Sequence, residues 1–167
     1  MSSNQLHSIV AADLAGAAPL RDAILALNNA HAEELSWLEP ARLTHLVEQA
    51  FVAKRVGEVD AFLLAFDHAS DYDSPNFLWF RERYARFVYV DRIVVSAQAR
   101  GRGLARRLYE DLFTEAARAG HQRVVCEVNA TPPNPASDAF HAKLNFAEVG
   151  SAALYAGNTV RYFCRAL

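Results

Sequence analysis

The chain lacks most of the features that would mark a specialised class. Its 167 residues include only two cysteines. Cys126 and Cys164 stand far apart and form no metal-binding or redox spacing, so free thiols are expected and no metal. Neither sign of charge dominates: 17 Lys and Arg face 19 Asp and Glu, a formal net charge of −2. A chain without a global basic field is not built mainly for nucleic acid. No apolar run is long enough to cross a bilayer, which removes the membrane as an expected partner. The start, Met1-Ser2-Ser3-Asn4-Gln5, lacks the basic residues of a secretory leader. With free thiols, this gives the expectation of a reducing cytoplasm. Internal repeats and low-complexity tracts are absent as well.

What remains is ordinary globular material. Just over half of the residues are apolar, at 52%, and the length suits one soluble domain over residues 1–167 with a substantial core. His7 to Ala12 reads as a first strand and Asp13 to Gly16 as a turn. Ala18 to Asn28 reads as a helix with Leu20, Ile24 and Leu27 on one face, closed by the polar stretch 28–35. Pro40 opens a second helix with Leu43, Leu46, Val47 and Ala50 as its buried stripe. Phe51 to Val56 and Val59 to Phe66, around Gly57-Glu58, read as an antiparallel hairpin. Asp67 to Ala85 reads as a long, irregular aromatic loop, and loops of that length tend to be functional. Gln122 to Val128 is a strand after a crossover helix capped by Gly120, and is therefore expected parallel to the strand before that helix. Asn129 to Pro135 is a bend and Ala136 to Leu144 a short helix. Phe146 to Tyr155 and Thr159 to Arg165 form a closing hairpin.

The stretch from Val88 to Leu112 organises the rest. It opens as a β-branched apolar run, a buried strand, and closes with Leu104, Leu108 and Leu112 at helical spacing. Two glycines separate the halves. A strand that passes into a helix through glycines points free backbone N–H groups at one spot, an anion site that the helix dipole favours further. Arg100, Arg102, Arg106 and Arg107 add positive charge, so a phosphate-bearing ligand is expected. A nucleotide P-loop would need Lys-Ser/Thr after the second glycine, where Leu104-Ala105 stand. A dinucleotide fingerprint would need glycine or alanine where Arg106 stands.

Gln98-Ala99-Arg100-Gly101-Arg102-Gly103 does meet the pattern Q/R-x-x-G-x-G/A. Here the chain resembles the GNAT superfamily of acetyl-CoA-dependent N-acetyltransferases, whose turn of this kind binds the pyrophosphate of coenzyme A. The order of elements agrees along nearly the whole chain. The resemblance implies an α/β GNAT domain with a mixed, mostly antiparallel sheet, flanking helices and a central parallel strand pair that splays to admit pantetheine. It implies acetyl-CoA as cosubstrate and a primary amine as acceptor, either a small or amino-acid-like molecule or a protein or peptide amine; the aromatic loop around Trp79 could shape an acceptor pocket or the interface of a homodimer. A GNAT fold that binds acetyl-CoA without turnover is the alternative.

Carried onto single residues, the resemblance places the pyrophosphate on Arg100, Gly101, Arg102, Gly103, Leu104 and Ala105. Backbone N–H groups of Ile93, Val94 and Val95 would polarise the thioester oxygen. Asn129 and Phe140 are further cofactor-side candidates. Asn134-Pro135-Ala136-Ser137-Asp138-Ala139-Phe140-His141-Ala142-Lys143-Leu144-Asn145-Phe146 resembles the signature N-x-x-A-x-x-x-Y-x-x-x-G-F. Asn134 then falls on the pantetheine asparagine, His141 on the tyrosine that protonates the leaving thiolate, and Asn145 on a usual glycine. Histidine could act as imidazolium, or as a neutral hydrogen-bond donor to sulfur. Asp91 is the candidate base. Ammonium, with a pKa near ~10, has no lone pair for attack at neutral pH, and a carboxylate in an apolar central strand is costly unless used or paired. Strand alternation should point Asp91 and Arg92 to opposite faces, so that they do not neutralise one another; pairing with Arg86 or Arg161 is the structural alternative. His31, Glu34, Tyr89 and Trp79 are candidates for the acceptor side.

Overall fold

In a computed structural model, residues 4–33, 35–155 and 157–167 are described, without the side chain of Tyr155. The architecture is α/β. In chain order the elements are β1 (Leu6–Ser8), α1 (Pro19–Asn29), α2 (Pro40–Gln49), β2 (Val52–Val56), β3 (Ala61–Asp67), α3 (Pro75–Arg81) and β4 (Val88–Val95). They continue with α4 (Leu104–Arg118), β5 (Arg123–Thr131), α5 (Pro135–Lys143), β6 (Ala147–Tyr155) and β7 (Asn158–Ala166). Two compact units emerge, Met1–Phe66 with Val90–Thr114, and Asp67–Tyr89 with Glu115–Leu167.

In the first unit the strands hydrogen-bond in the order β1-β2-β3-β4. β1 and β3 both run antiparallel to β2, with Leu6 opposite Val56 and Val52 opposite Ala65. β3 is a continuous apolar run, Ala61 to Phe66, and all six residues are buried, the pattern of a strand covered on both faces. The first turns of α1 and α2 are set by Pro19 and Pro40, whose missing N–H costs nothing there. Ile24, Leu43, Leu46 and Val47 turn inward as their spacing requires. On α4, Leu104, Leu108 and Leu112 are all buried.

In the second unit the order is β4-β5-β7-β6. The pairing of β4 with β5 is parallel, as the crossover helix requires, and runs through Val88 and Tyr89 opposite Val124 and Val125. β5 and β6 both pair antiparallel with β7. An aromatic cluster of Tyr72, Phe77, Phe80, Phe87, Tyr89 and Tyr162 forms its core.

Three expectations need correction. The first strand stops at Ser8, and a 3-10 turn, Ala11–Leu14, buries Leu14 where strand and turn were expected. The stretch 67–85 is not an irregular loop throughout: α3 begins at Pro75 and buries Phe77 and Phe80. Seven residues dense in aromatics leave too few polar positions for a helical period to be visible. β5 also runs on through Asn129 to Thr131, past the expected bend, because β7 keeps pairing with it.

Candidate functional site

β4 delivers the chain into the glycine turn through a short 3-10 segment, Ala97–Ala99. Gly101 and Gly103 have φ of 82° and 72°, in the left-handed region that other residues adopt at a cost. Their role is conformational rather than steric, since a Cβ added at either would meet nothing within 4 Å. Among the described residues, the space at both Cβ positions is open. The first helical bond of α4 is donated by Arg107 N to Gly103 O, at 3.1 Å. The N–H groups of Gly103, Leu104, Ala105 and Arg106 thus stand at the positive end of the helix without intrahelical acceptors. This backbone fits a pyrophosphate.

The arginines around it are less available than the sequence suggested. Arg102 bonds Asp60 at 3.2 Å and also Asn4. Arg107 donates to Asn4 O, and Arg106 to Glu110 at 3.0 Å. Arg100 is exposed. The backbone N–H groups, more than these guanidinium groups, are placed so that they could meet an anion at the turn.

Asp91 is not held apart from Arg92. Arg92 Nε donates to Asp91 Oδ2 at 2.8 Å, and the two side chains are 5% and 6% exposed respectively. This corrects the expectation from alternation. Alternation fixes the direction of Cβ, but the long arginine stem can bring its planar fork back to a neighbouring carboxylate. Arg92 also donates to Asn28 Oδ1 at 2.9 Å and to Ser36 Oγ at 3.3 Å. Asn28 is fully buried and its amide donates to Ser36 O at 3.0 Å. β4 is thereby tied to the end of α1 and the connection that follows. On that connection, His31 Nδ1 meets Leu27 O at 3.0 Å. Glu34 lies outside the described residues.

The second unit holds Tyr89, Trp79, Asn129, Asn134, Phe140 and His141. Asn134 is the N-cap of α5, its Oδ1 accepting from Ser137 N at 3.2 Å. Asn145 explains its own place at the glycine position: φ is 66°, and asparagine tolerates that conformation best after glycine. His141 Nδ1 lies 2.8 Å from Ser137 O. The carbonyl can only accept, so Nδ1 carries a proton and donates it. Burial pushes the His141 pKa down, against the pull of the Ser137 carbonyl and Asp138, so the ring is neutral at pH 7. In this state it has no spare proton for a thiolate unless the Ser137 bond opens. Phe140 packs edge-on against the His141 ring. Asn129 sits late in β5, opposite Val160.

Sequence reasoning missed Glu127. Its Oε1 accepts from Tyr89 OH at 2.9 Å and from Asn76 Nδ2 at 3.1 Å. Tyr162 OH donates to Asn76 Oδ1 at 2.9 Å. Trp79 lies flat on Tyr162, ring centroids 4.1 Å apart, with the Arg83 guanidinium 3.8 Å from the Trp79 ring centroid. Trp79 is thus packed between these two side chains and half-buried. The signal for Glu127 was available: a lone carboxylate inside the apolar strand Val124-Val125-Cys126-Glu127-Val128 incurs the same burial cost that singled out Asp91. Among the described residues, no group of three His, Cys, Asp or Glu side chains could hold a metal ion.

The family model described as the acetyltransferase (GNAT) family matches residues 27–146. Among solved structures, the chain is similar to a ribosomal-protein-alanine N-acetyltransferase from Brucella melitensis. The TM-score is 0.71 and identity 19%, covering 98% of this chain and 99% of that one. It is also similar to a chain of the NatC complex bound to Gag peptide and CoA, with TM-score 0.73, 12% identity and 98% of each chain covered. A putative acetyltransferase from Salmonella typhimurium, solved with its cofactor acetyl-CoA, gives TM-score 0.67 and 16% identity over 97% of this chain and 92% of that one. A search of curated proteins returned no match. With the glycine turn at the head of α4 and the family match over most of its length, this chain belongs to the GNAT acetyltransferase family.

Proposed function

We propose that the chain is an acetyl-CoA-dependent N-acetyltransferase, one domain over residues 1–167 acting in the cytoplasm on a primary amine by direct attack. The observation that carries this reading is the pair of left-handed glycines before the first N–H groups of α4, which have no intrahelical acceptor. Gly101 to Ala105 hold the pyrophosphate, and the N–H groups of Ile93, Val94 and Val95 act on the thioester oxygen as it gains charge. The structural relatives that act on protein or peptide amines support a peptide N-terminus as acceptor beside the small amines.

The ammonium proton goes to a carboxylate. Asp91, the choice from sequence, already serves as counter-ion to buried Arg92. Glu127 accepts hydrogen bonds from the neutral donors Tyr89 and Asn76, whereas the donor to Asp91 is a guanidinium. We therefore assign the base to Glu127 and keep Asp91 as the second reading. The thiolate, whose conjugate acid has a pKa near ~8.5, leaves without strong need of an acid, consistent with a neutral His141.

Thiol release from acetyl-CoA, measured across small amines, amino acids and an alanine-initiated peptide with hydrolysis subtracted, tests the function. Amine-dependent release is the expected result. Silence across the panel in a protein that acetyl-CoA still protects against heat would favour the non-catalytic module. Silence without protection would remove the donor site itself. Glu127→Gln should lower kcat by about 10²–10⁴-fold with heat protection by acetyl-CoA intact. Asp91→Asn should retain kcat per folded molecule; the reverse pattern would return the base to Asp91.

A further inference from the structure

We propose that Asn76 and Tyr162 are positioning residues that orient the Glu127 carboxylate, making α3 an accessory element of the chemical step. This rests on the assignment of the base to Glu127. Tyr162 and Glu127 are cross-strand partners in the β5–β7 register, so their side chains share one face of that strand pair. Asn76 stands above them on the first turn of α3 and joins both: Oδ1 accepts from Tyr162 OH at 2.9 Å while Nδ2 donates to Glu127 Oε1 at 3.1 Å.

The direction of this chain is fixed chemically. A carboxylate can only accept, so the amide must turn Nδ2 towards Glu127, which leaves Oδ1 to receive the tyrosine proton. Burial, and after it the Glu127 charge, push the Tyr162 pKa up to about 12, against the pull of Arg83. The phenol therefore keeps its proton throughout the neutral range and remains a donor. With Tyr89 OH on the same atom at 2.9 Å, Oε1 is engaged by two donors, which fixes the plane of the carboxylate. The Tyr162 ring is in turn held by two neighbouring residues of α3, the Trp79 stack at 4.1 Å and Phe80 edge-on at 5.1 Å. Such a support fixes a base within the narrow range of geometry that proton transfer rewards.

The test compares wild type with Asn76→Ala, Asn76→Asp, Tyr162→Phe and Glu127→Gln. The titration of the Glu127 side-chain carboxyl is followed by carbon NMR, assigned from the spectrum that Glu127→Gln lacks. A new carboxylate at position 76 faces Glu127 with like charge, so its midpoint should move to higher pH by about one unit or more. Asn76→Ala removes a donor from the ionised form and should move it the same way by less. With the amine that the panel identifies, Asn76→Ala and Tyr162→Phe should lower kcat by about tenfold, with KM for acetyl-CoA within twofold. A role in packing alone would lower the melting temperature and leave the Glu127 midpoint unmoved, which overturns the inference. Glu127→Gln as active as wild type would overturn the base assignment and the catalytic meaning of the network together. An inactive Glu127→Gln beside fully active Asn76 and Tyr162 variants would overturn the positioning role alone.

Discussion

At the scale of single residues, the two glycines of the turn make the clearest commitment. Gly103→Ala places a Cβ at φ of 72° and in open space. The strain is of order 1–2 kcal/mol, which for a chain of this size lowers the melting temperature by only about 2–8 °C. The loss of donor binding should be far larger, because the methyl enters the space before the N–H groups. A thermal melt with and without acetyl-CoA checks this: modest destabilisation, and most of the ligand-induced shift gone. Arg92 gives the opposite kind of prediction. Truncating it to alanine leaves Asp91 buried without that guanidinium, a change that costs roughly 3–5 kcal/mol in comparable pairs. Arg92→Ala should therefore fail on stability in denaturant melts, whatever its effect on acetyl transfer. Asp91 was legible from sequence as a carboxylate that needed an explanation. Its partner was not, because alternation describes where a side chain starts and not where a flexible one ends.

Elements were legible in proportion to their period and length. α4 announced itself through Leu104, Leu108 and Leu112, and β3 through an unbroken apolar run, since both bury what their spacing says they must. α3 did not, because Pro75-Asn76-Phe77-Leu78-Trp79-Phe80-Arg81 is short, and its place is decided by tertiary aromatic contacts rather than by its own pattern. The pairing of Asn76 with Glu127 escaped for a related reason: the two are 51 positions apart, and nothing local links them, although the lone carboxylate in its apolar strand was itself visible. The glycine turn was visible because an anion site at a helix start is a local object. One element-scale dependence can be tested directly. Gly150, on β6, lies against the Trp79 ring, so that an added Cβ would fall 2.4 Å from Trp79 Cζ2. The ring already stacks on Tyr162 and cannot shift without breaking that contact. Gly150→Ala should cost about 1–3 kcal/mol, the range for overpacking a filled site. It should also quench or shift the Trp79 fluorescence, read against Trp37→Phe, which leaves Trp79 as the single indole.

At the scale of the whole molecule, composition excluded more than it assigned, and the remaining global property that can be argued is the response to acid. Two buried histidines, His121 and His141, have their pKa values pushed down, in both cases first by burial. For His121 the Arg86 charge and the His68 ring add to this while Asp67 opposes it. For His141 the Ser137 carbonyl and Asp138 oppose it. A histidine whose folded pKa lies below its unfolded value of about 6.5 binds protons more readily once unfolded. Its contribution to stability is thus fully present above about pH 6.5 and is lost as pH falls from there through the folded pKa. Melting temperatures measured from pH 7.5 down to pH 5 should fall steadily in the wild type. In His121→Gln and His141→Gln the starting stability should be lower and the slope shallower, because neither variant has a ring to protonate. The two losses of slope should add, as they do for independent sites. Equal slopes in all three proteins would show that carboxylates, not these rings, govern the acid limb.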